Sequence, residues 1–233
     1  MGNLIDIHSV AIQEIKKKFS LTPVKLTHPF PERPKRTLGL IQVDGDVFTS
    51  DKFSRITFLR INLPVYMKVR STFLRPRMEL DLPIFSAESV IMGSKRMFML
   101  DMHRTGESER KEDTSIFDKL IKIRNKYSNL LKYTKSNVSQ EIQAVFSRAV
   151  YQGRIPNSLD NDALNLFREY LGVFLEMVGS AAPLSGDKLE AMKKSYAEYL
   201  KTVVDHDPGV KGYKMFFGEK GGVERSMEMF FNQ

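Results

Sequence analysis

The feature that most constrains the fold of this chain is a pair of apolar runs, residues 82–92 and 97–102, on either side of Gly93-Ser94-Lys95. Turn residues between two apolar runs predict a β-hairpin. Apolar groups occur on both faces of the first strand. This indicates that other parts of the protein cover both faces of the sheet.

One glutamate interrupts the hairpin. Strand alternation places Glu88 on the same face as Ile84 and Ser86, with Phe85 on the opposite face. The sequence around Glu88 supplies no basic residue, so a buried carboxylate here needs a distant partner, takes up a proton, or lines a pocket. A half-exposed strand with Glu88 in solvent is the alternative explanation of the same pattern.

Three further strand-like runs precede the hairpin, at residues 37–43, 56–63 and 65–74. Turn-forming sequences separate them: Asp44-Gly45-Asp46 and Asn62-Leu63-Pro64. Consecutive strands joined by short turns pair with their neighbours, so these runs and the hairpin predict an antiparallel sheet of about five strands.

Helical patterns occupy most of the remaining chain. Apolar residues at helical spacing predict amphipathic helices within residues 3–19, 113–131, 139–150, 160–178 and 187–204. Strands followed by helices predict an α+β fold in which helices pack on the sheet. Residues 1–233 contain no repeat or long linker, which favours a single domain.

The connecting segments give further expectations. Prolines between Leu21 and Arg36 predict an extended connection. Asp113 or Ser115 is expected to cap a helix after a charged loop at residues 104–113. The segment Gly209–Gly212 is expected to interrupt the helical pattern.

Composition narrows the possible chemistry. The chain has no cysteine, which excludes disulfides, thiolate metal sites and a cysteine nucleophile. None of the four histidines has metal-ligand spacing to another, so no metal site is expected. The chain has no secretory signal and no apolar run of the roughly 18 residues that a membrane span needs. These features favour a cytoplasmic protein without a membrane partner.

The formal net charge is +8 in 233 residues. A basic surface favours an acidic partner, which includes nucleic acid, anionic lipid or an acidic protein. The sequence contains no helix-turn-helix, zinc-finger or aromatic RNA-binding pattern.

The run from Asp207 to Phe231 resembles the end of the ferredoxin-dependent bilin reductases, whose pattern is close to D-P-x-x-G-Y-x-x-x-x-F-G-E followed by E-x-F-x-x-x-x-F. The matching residues here, with one extra residue before Gly212, are Asp207-Pro208, Gly212-Tyr213, Phe217-Gly218-Glu219, Glu224 and Phe230-Phe231. The segments DLPIFSAESV (81–90), Leu100-Asp101 and Phe146-Ser147 resemble other blocks of the same family.

The resemblance implies an α/β/α sandwich with a central antiparallel sheet, and a bilin between the sheet and the C-terminal helices. It implies that biliverdin IXα or 15,16-dihydrobiliverdin is reduced to a phycobilin, with phycoerythrobilin as the favoured product. Electrons would come singly from reduced ferredoxin, an acidic 2Fe-2S protein, through bilin radicals. No bound metal, flavin or nicotinamide and no nucleic acid would take part, and the enzyme would be a monomer.

The chain looks like the phage-encoded members of this family. That implies the cytoplasm of a host cell, whereas a eukaryotic relative would lie in the plastid stroma.

The resemblance also implies roles for individual residues. Glu88 stands where many members have an aspartate on the sheet, and Asp207 matches the aspartate of the helical side; both are candidate catalytic acids. The candidate substrate-binding residues are Ser71, Phe85, Ser147, Arg148, Arg154 and His206. Glutamate in place of aspartate moves the acid by about one bond length, which leaves the product open.

An apolar slot would suit this chemistry, because desolvation raises the pKa of a carboxylic acid and keeps it a proton donor near neutrality. Two alternatives remain open from the sequence. One is a bilin-binding relative without catalysis, and the other is a basic nucleic-acid-binding protein.

Overall fold

The computed structural model describes residues 5–93, 95–105, 111–135 and 138–232. Its centre is a seven-stranded sheet in which every strand pairs antiparallel with its neighbours in chain order. The strands are β1 (Thr22–Pro23), β2 (Gln42–Thr49), β3 (Phe53–Leu63), β4 (Met67–Pro76), β5 (Ile84–Met92), β6 (Lys95–His103) and β7 (Tyr151–Gly153). The predicted antiparallel sheet and α+β class are confirmed, but the sheet has seven strands where about five were expected, because the short strands β1 and β7 extend its two edges.

Helices cover both faces of this sheet. They are α1 (Ile7–Lys16), α2 (Lys111–Lys126), α3 (Ser128–Leu131), α4 (Gln140–Val145), α5 (Asp160–Ser180), α6 (Gly186–His206), α7 (Pro208–Phe217) and α8 (Glu219–Ser226). A π-helical turn, Met227–Phe231, follows α8 and is called the 227–231 segment below. Among the described residues, no helix has the length and apolar character needed to cross a membrane.

The first face of the sheet packs against α1, α2, α3 and α5 in the larger apolar core. Phe85 of β5 lies at its centre and is fully buried. The Phe85 ring centroid lies 5.3 Å from that of Phe174 and 5.7 Å from that of Phe167, both on α5. Aromatic contacts of this kind stabilise the packing of α5 against the middle of the sheet.

The second face packs against α6, α7 and the 227–231 segment in a separate core. Buried polar groups of the sheet hold that segment in place. Thr57 Oγ1 donates to the carbonyl of Met229 at 2.8 Å, and Arg55 Nε donates to the carbonyl of Glu228 at 3.1 Å. Arg75 Nη1 donates to the carbonyl of Phe231. These donors satisfy carbonyls that the end of a helix leaves without partners.

Asp44-Gly45-Asp46, predicted as a turn, lies inside β2, so that prediction is wrong. The strand predicted at residues 37–43 corresponds to β2, which runs eight residues from Gln42. Arg60 of β3 explains this, since its Nε lies 2.8 Å from Asp44 Oδ2 and its Nη2 lies 2.9 Å from Asp46 Oδ2. These cross-strand ion pairs favour strand pairing over the turn that the local sequence prefers.

The predicted break at Gly209–Gly212 is also wrong, because these residues lie inside α7. Asp207 caps α7 and Pro208 occupies its first position, which is the favoured start of a helix. A Cβ at Gly209 would lie 2.9 Å from Asp207 Oδ1. Glycine therefore leaves room for the capping carboxylate.

The start of α2 also differs from the expectation. Asp113 and Ser115 lie within this helix, which includes Lys111, so neither is its N-cap. Half of the loop predicted at residues 104–113, residues 106–110, lies outside the described residues, as does Ser94 of the hairpin turn.

Substitution of two helical glycines by alanine should have opposite effects on stability. A Cβ at Gly222 of α8 would lie 2.6 Å from backbone atoms of Tyr213 and Lys214 in α7, whereas a Cβ at Gly172 of α5 meets nothing within 4 Å. We expect Gly222→Ala to lower the free energy of unfolding by about 1–3 kcal/mol through overpacking. Gly172→Ala should raise it by about 0.5–1 kcal/mol. Urea denaturation measures both, and equal effects of the two substitutions would contradict the close α7–α8 contact.

Candidate active site

A cavity lies between the second face of the sheet and the helices that cover it. It contains about 800 Å³ of space, including its open mouth. Strands β4, β5 and β6 form its floor, and α4, α6, α7 and the 227–231 segment form its walls. Most of its lining is apolar or aromatic, including Phe73, Met97, Met99, Phe146, Val203 and Phe231. Such a slot suits a large, flat, mostly apolar ligand.

Glu88 projects from the middle of the floor. Its cross-strand neighbours are Ser71 on β4 and Met99 on β6, and all three line the cavity. Ser71 Oγ lies 3.4 Å from Glu88 Oε1, a long hydrogen bond. Desolvation by burial, followed by the negative charge of Asp207, raises the pKa of Glu88 to about 7, while the Ser71 contact opposes this rise. Glu88 is therefore a carboxylic acid that holds its proton near neutral pH.

Asp207 faces the same cavity from the helical side, at the junction of α6 and α7. Its Oδ1 accepts hydrogen bonds from the N–H groups of Gly209 (2.7 Å) and Val210 (3.1 Å). Burial raises the pKa of Asp207, and these two hydrogen bonds oppose the rise. The start of α7 thus stabilises the ionised form of Asp207 in a way that Glu88 lacks.

A third buried acid lies on the floor strand β6. Asp101 is fully buried, and its two oxygens accept hydrogen bonds from Ser147 Oγ (2.5 Å) and the Ser147 N–H (3.0 Å). Burial raises the pKa of Asp101 to about 7, against the effect of these hydrogen bonds. The pair fixes the turn after α4, which carries Phe146 into the cavity wall.

Sequence reasoning missed two polar groups in the lining. His103 and Gln152 are buried, and neither His103 Nε2 nor Gln152 Oε1 has a hydrogen-bond partner among the described residues. His103 Nδ1 lies 3.0 Å from the hydroxyl of Tyr199. The sequence pattern that could have identified His103 is the alternation of β6, which puts residues 97, 99, 101 and 103 on one face.

The structure brings three of the predicted site residues to this cavity: Glu88, Ser71 and Asp207. The structure corrects the prediction that Phe85 contacts the substrate. Phe85 lies on the opposite face of β5, in the core against α5, because neighbouring strand residues point to opposite faces of a sheet. A ligand in this cavity therefore has no access to Phe85.

The other predicted substrate-binding residues lie outside the described lining of the cavity. Ser147 is buried and hydrogen-bonded to Asp101. Arg148 is exposed and its Nη1 lies 2.9 Å from Asp118 Oδ1. Arg154 is exposed just after β7, and His206 is the last residue of α6.

Comparison with known proteins identifies the class. Residues 8–231 match the sequence profile described as "Ferredoxin-dependent bilin reductase". The chain therefore belongs to the ferredoxin-dependent bilin reductases, a family of oxidoreductases that act on bilins.

Individual relatives are distant. The chain is 22% identical to phycoerythrobilin:ferredoxin oxidoreductase of Synechococcus sp. (strain WH8020) over 73% of this chain and 68% of that protein. It is 23% identical to the protein of the same name from Prochlorococcus marinus (strain SARG), over 92% of this chain and 87% of that protein.

A solved structure has the same fold. Phytochromobilin synthase from tomato, solved in complex with biliverdin, superposes with a TM-score of 0.81 at 20% sequence identity. The match covers 96% of this chain and 81% of the tomato protein. The expected α/β/α sandwich with a central antiparallel sheet is thereby confirmed.

The raised pKa of Glu88 predicts a pH-dependent stability. Its pKa rises from 4.5 to about 7 on folding. Below pH 4.5 the carboxyl group is neutral in both states and has no effect on stability. As pH rises from 4.5 to 7, stability is lost, because the unfolded protein releases this proton to gain a solvated charge while the folded protein retains it. We expect Glu88→Gln to gain up to about 3 kcal/mol of unfolding free energy relative to wild type between pH 4.5 and pH 8.

Denaturation at several pH values measures this difference. Glu190→Gln is the matched control, because the Glu190 side chain is 69% exposed on α6. A difference between Glu88→Gln and wild type that stays constant with pH would contradict the desolvation of Glu88.

Proposed function

We propose that this protein reduces biliverdin IXα or 15,16-dihydrobiliverdin to a phycobilin, with phycoerythrobilin as the product. The names of the curated relatives support the product, and the biliverdin complex of the tomato protein supports the substrate class. The observation that carries the proposal is the pair of carboxylic acids in one mostly apolar cavity, Glu88 on the sheet and Asp207 on the helical side.

The two acids suit different parts of a proton-coupled reduction. Each double bond reduced takes up two electrons, from two molecules of reduced ferredoxin, and two protons. One-electron reduction makes a bilin more basic, so an acid beside it can deliver a proton at once. Glu88 has a pKa of about 7, which makes it the donor for the first protonation at neutral pH.

Asp207 would supply a proton to the other side of the bilin after it has itself taken one up from water at the mouth of the cavity. This uptake is needed because its backbone hydrogen bonds and its place at the start of α7 favour the ionised form more than at Glu88. Two carboxylic acids with different environments divide the work of one reaction in this way in other enzymes. The negative charge of Asp207 also raises the pKa of Glu88, so the two acids act as a coupled pair.

The basic surface suits the electron donor. A net charge of +8 favours the approach of an acidic ferredoxin and increases the rate of encounter. Docking of ferredoxin accounts for the basic charge, which the sequence alone could also attribute to a nucleic-acid partner. We also propose that the enzyme is a monomer and binds no metal or organic cofactor.

Replacing the acids should stop turnover without abolishing binding. Glu88→Gln and Asp207→Asn keep size, and an asparagine at 207 still caps α7. We expect each variant to perturb the visible spectrum of biliverdin as wild type does. With reduced ferredoxin under anaerobic conditions, each should lose roughly 10²–10⁴-fold in rate or accumulate an intermediate. Absorbance and chromatography of the products measure this.

Asp205→Asn is the matched control, since Asp205 lies two residues before Asp207 but is exposed and paired with Lys201. It should reduce biliverdin at the wild-type rate. Wild-type product and rate in Glu88→Gln or Asp207→Asn would remove that residue from the mechanism. Wild-type protein that binds biliverdin but never reduces it would indicate a bilin-binding relative without catalysis.

Electrostatic docking predicts a salt effect. Raising the ionic strength from about 0.01 M to about 0.1 M shortens the screening length from about 30 Å to about 10 Å. We expect turnover at limiting ferredoxin to fall over this range, whereas the Kd of biliverdin changes less because the cavity is apolar. A rate that does not depend on salt would contradict the role given to the net charge.

A further inference from the structure

His103 combines features that no role assigned so far explains. It lies at the end of β6 with 7% of its surface exposed, and it lines the cavity. Its ring packs among three aromatic rings, with centroid distances of 5.6 Å to Phe146, 6.2 Å to Tyr199 and 6.5 Å to Phe73. Nε2 has no hydrogen-bond partner among the described residues. A buried polar atom without a partner costs free energy, which a ligand with a matching polar atom would recover.

The hydrogen bond to Tyr199 determines what Nε2 can do. Burial lowers the pKa of His103 to about 4 and raises the pKa of Tyr199 well above its usual range, so both groups are neutral. The two share one hydrogen bond, of 3.0 Å between Nδ1 and the hydroxyl. If the hydroxyl donates to Nδ1, its proton is satisfied and the ring proton lies on Nε2. The reverse arrangement leaves the tyrosine proton without the acceptor it has here.

We propose that His103 Nε2–H binds a terminal lactam carbonyl of the bilin, and that the Tyr199 hydroxyl sets the tautomer that makes this donor available. This inference rests on the proposed function. Each end ring of an open-chain tetrapyrrole carries a carbonyl oxygen, which is a hydrogen-bond acceptor at the edge of an otherwise apolar plane. A neutral N–H donor satisfies such an oxygen without adding charge to the cavity.

The position of His103 gives this contact a role in specificity. Glu88 pairs across the sheet with Met99, and His103 lies four residues further along β6. Four residues of a strand span roughly 13 Å. A bilin whose end ring is held at His103 therefore presents a different part of its conjugated system to Glu88. The register between these two contacts determines which carbon receives the proton.

The test compares variants at positions 103 and 199. His103→Phe keeps a ring but removes the donor, and His103→Gln keeps an N–H near the position of Nε2. We expect His103→Phe to weaken biliverdin binding roughly tenfold. It should also raise the lactam C=O stretching frequency of bound biliverdin in resonance Raman spectra, and change the ratio of products formed with reduced ferredoxin. His103→Gln should retain the wild-type C=O frequency, and Tyr199→Phe should shift it partway.

A measurement on wild-type protein does not depend on whether a variant folds. The ¹⁵N resonance of His103 Nε2, assigned by correlation to its own backbone in isotope-labelled wild-type protein, should have the frequency of a protonated nitrogen and move when biliverdin is added. His28→Gln is the control, because the His28 side chain is 57% exposed and lies outside the described lining of the cavity.

The outcomes separate the two proposals. Wild-type protein that reduces biliverdin, together with an unchanged C=O frequency, affinity and product in His103→Phe, overturns the role of His103 and leaves the proposed function standing. An Nε2 resonance that does not move on biliverdin addition has the same meaning. Wild-type protein that does not perturb the spectrum of biliverdin overturns both.

Discussion

Burial of the central sheet on both faces is the constraint on which the rest of this structure depends. Residues 84–91 of β5 are all buried or half-buried, whichever way their side chains point. On one face this places Phe85 against α5, where it stabilises the core. On the other face it removes Glu88 from bulk water, and the described residues place no cation beside it, so the pKa of the acid rises. Fold stability and acid chemistry therefore have one physical origin.

Much of this arrangement follows from local sequence. Period-two alternation and the hairpin turn predict that Glu88 lies in a covered strand, and the Asp-Pro sequence is the favoured start of a helix at Asp207. Alternation also excludes Phe85 from the face of Glu88. Its assignment to the substrate came from the family pattern alone, and the strand geometry contradicts it. For Phe85, the period-two alternation of the strand therefore gives the correct direction of the side chain, and the family motif does not.

The remaining features depend on contacts between distant residues, which local sequence does not encode. The partner of His103 is Tyr199, 96 residues away, and Ser147 bonds Asp101 across 46 residues. Local propensity failed for a related reason at Gly209 and at Asp44, where a helix cap and a cross-strand ion pair outweigh the preference of the residue itself. Both of these failures lie where a specific polar interaction determines the backbone.

The 227–231 segment has a consequence for how the cavity forms. Its carbonyls are bound by Arg55 and Thr57, 173 and 172 residues earlier in the chain, and its last phenylalanines close one wall around Glu88. The strands that carry Glu88 and its neighbours lie more than 120 residues before this wall in the chain. Without the segment, water would enter the part of the cavity that Phe230 and Phe231 close, and the pKa of Glu88 would lie nearer to that of an exposed glutamate. The proton affinity of this one carboxyl group therefore depends on the last few residues of the fold.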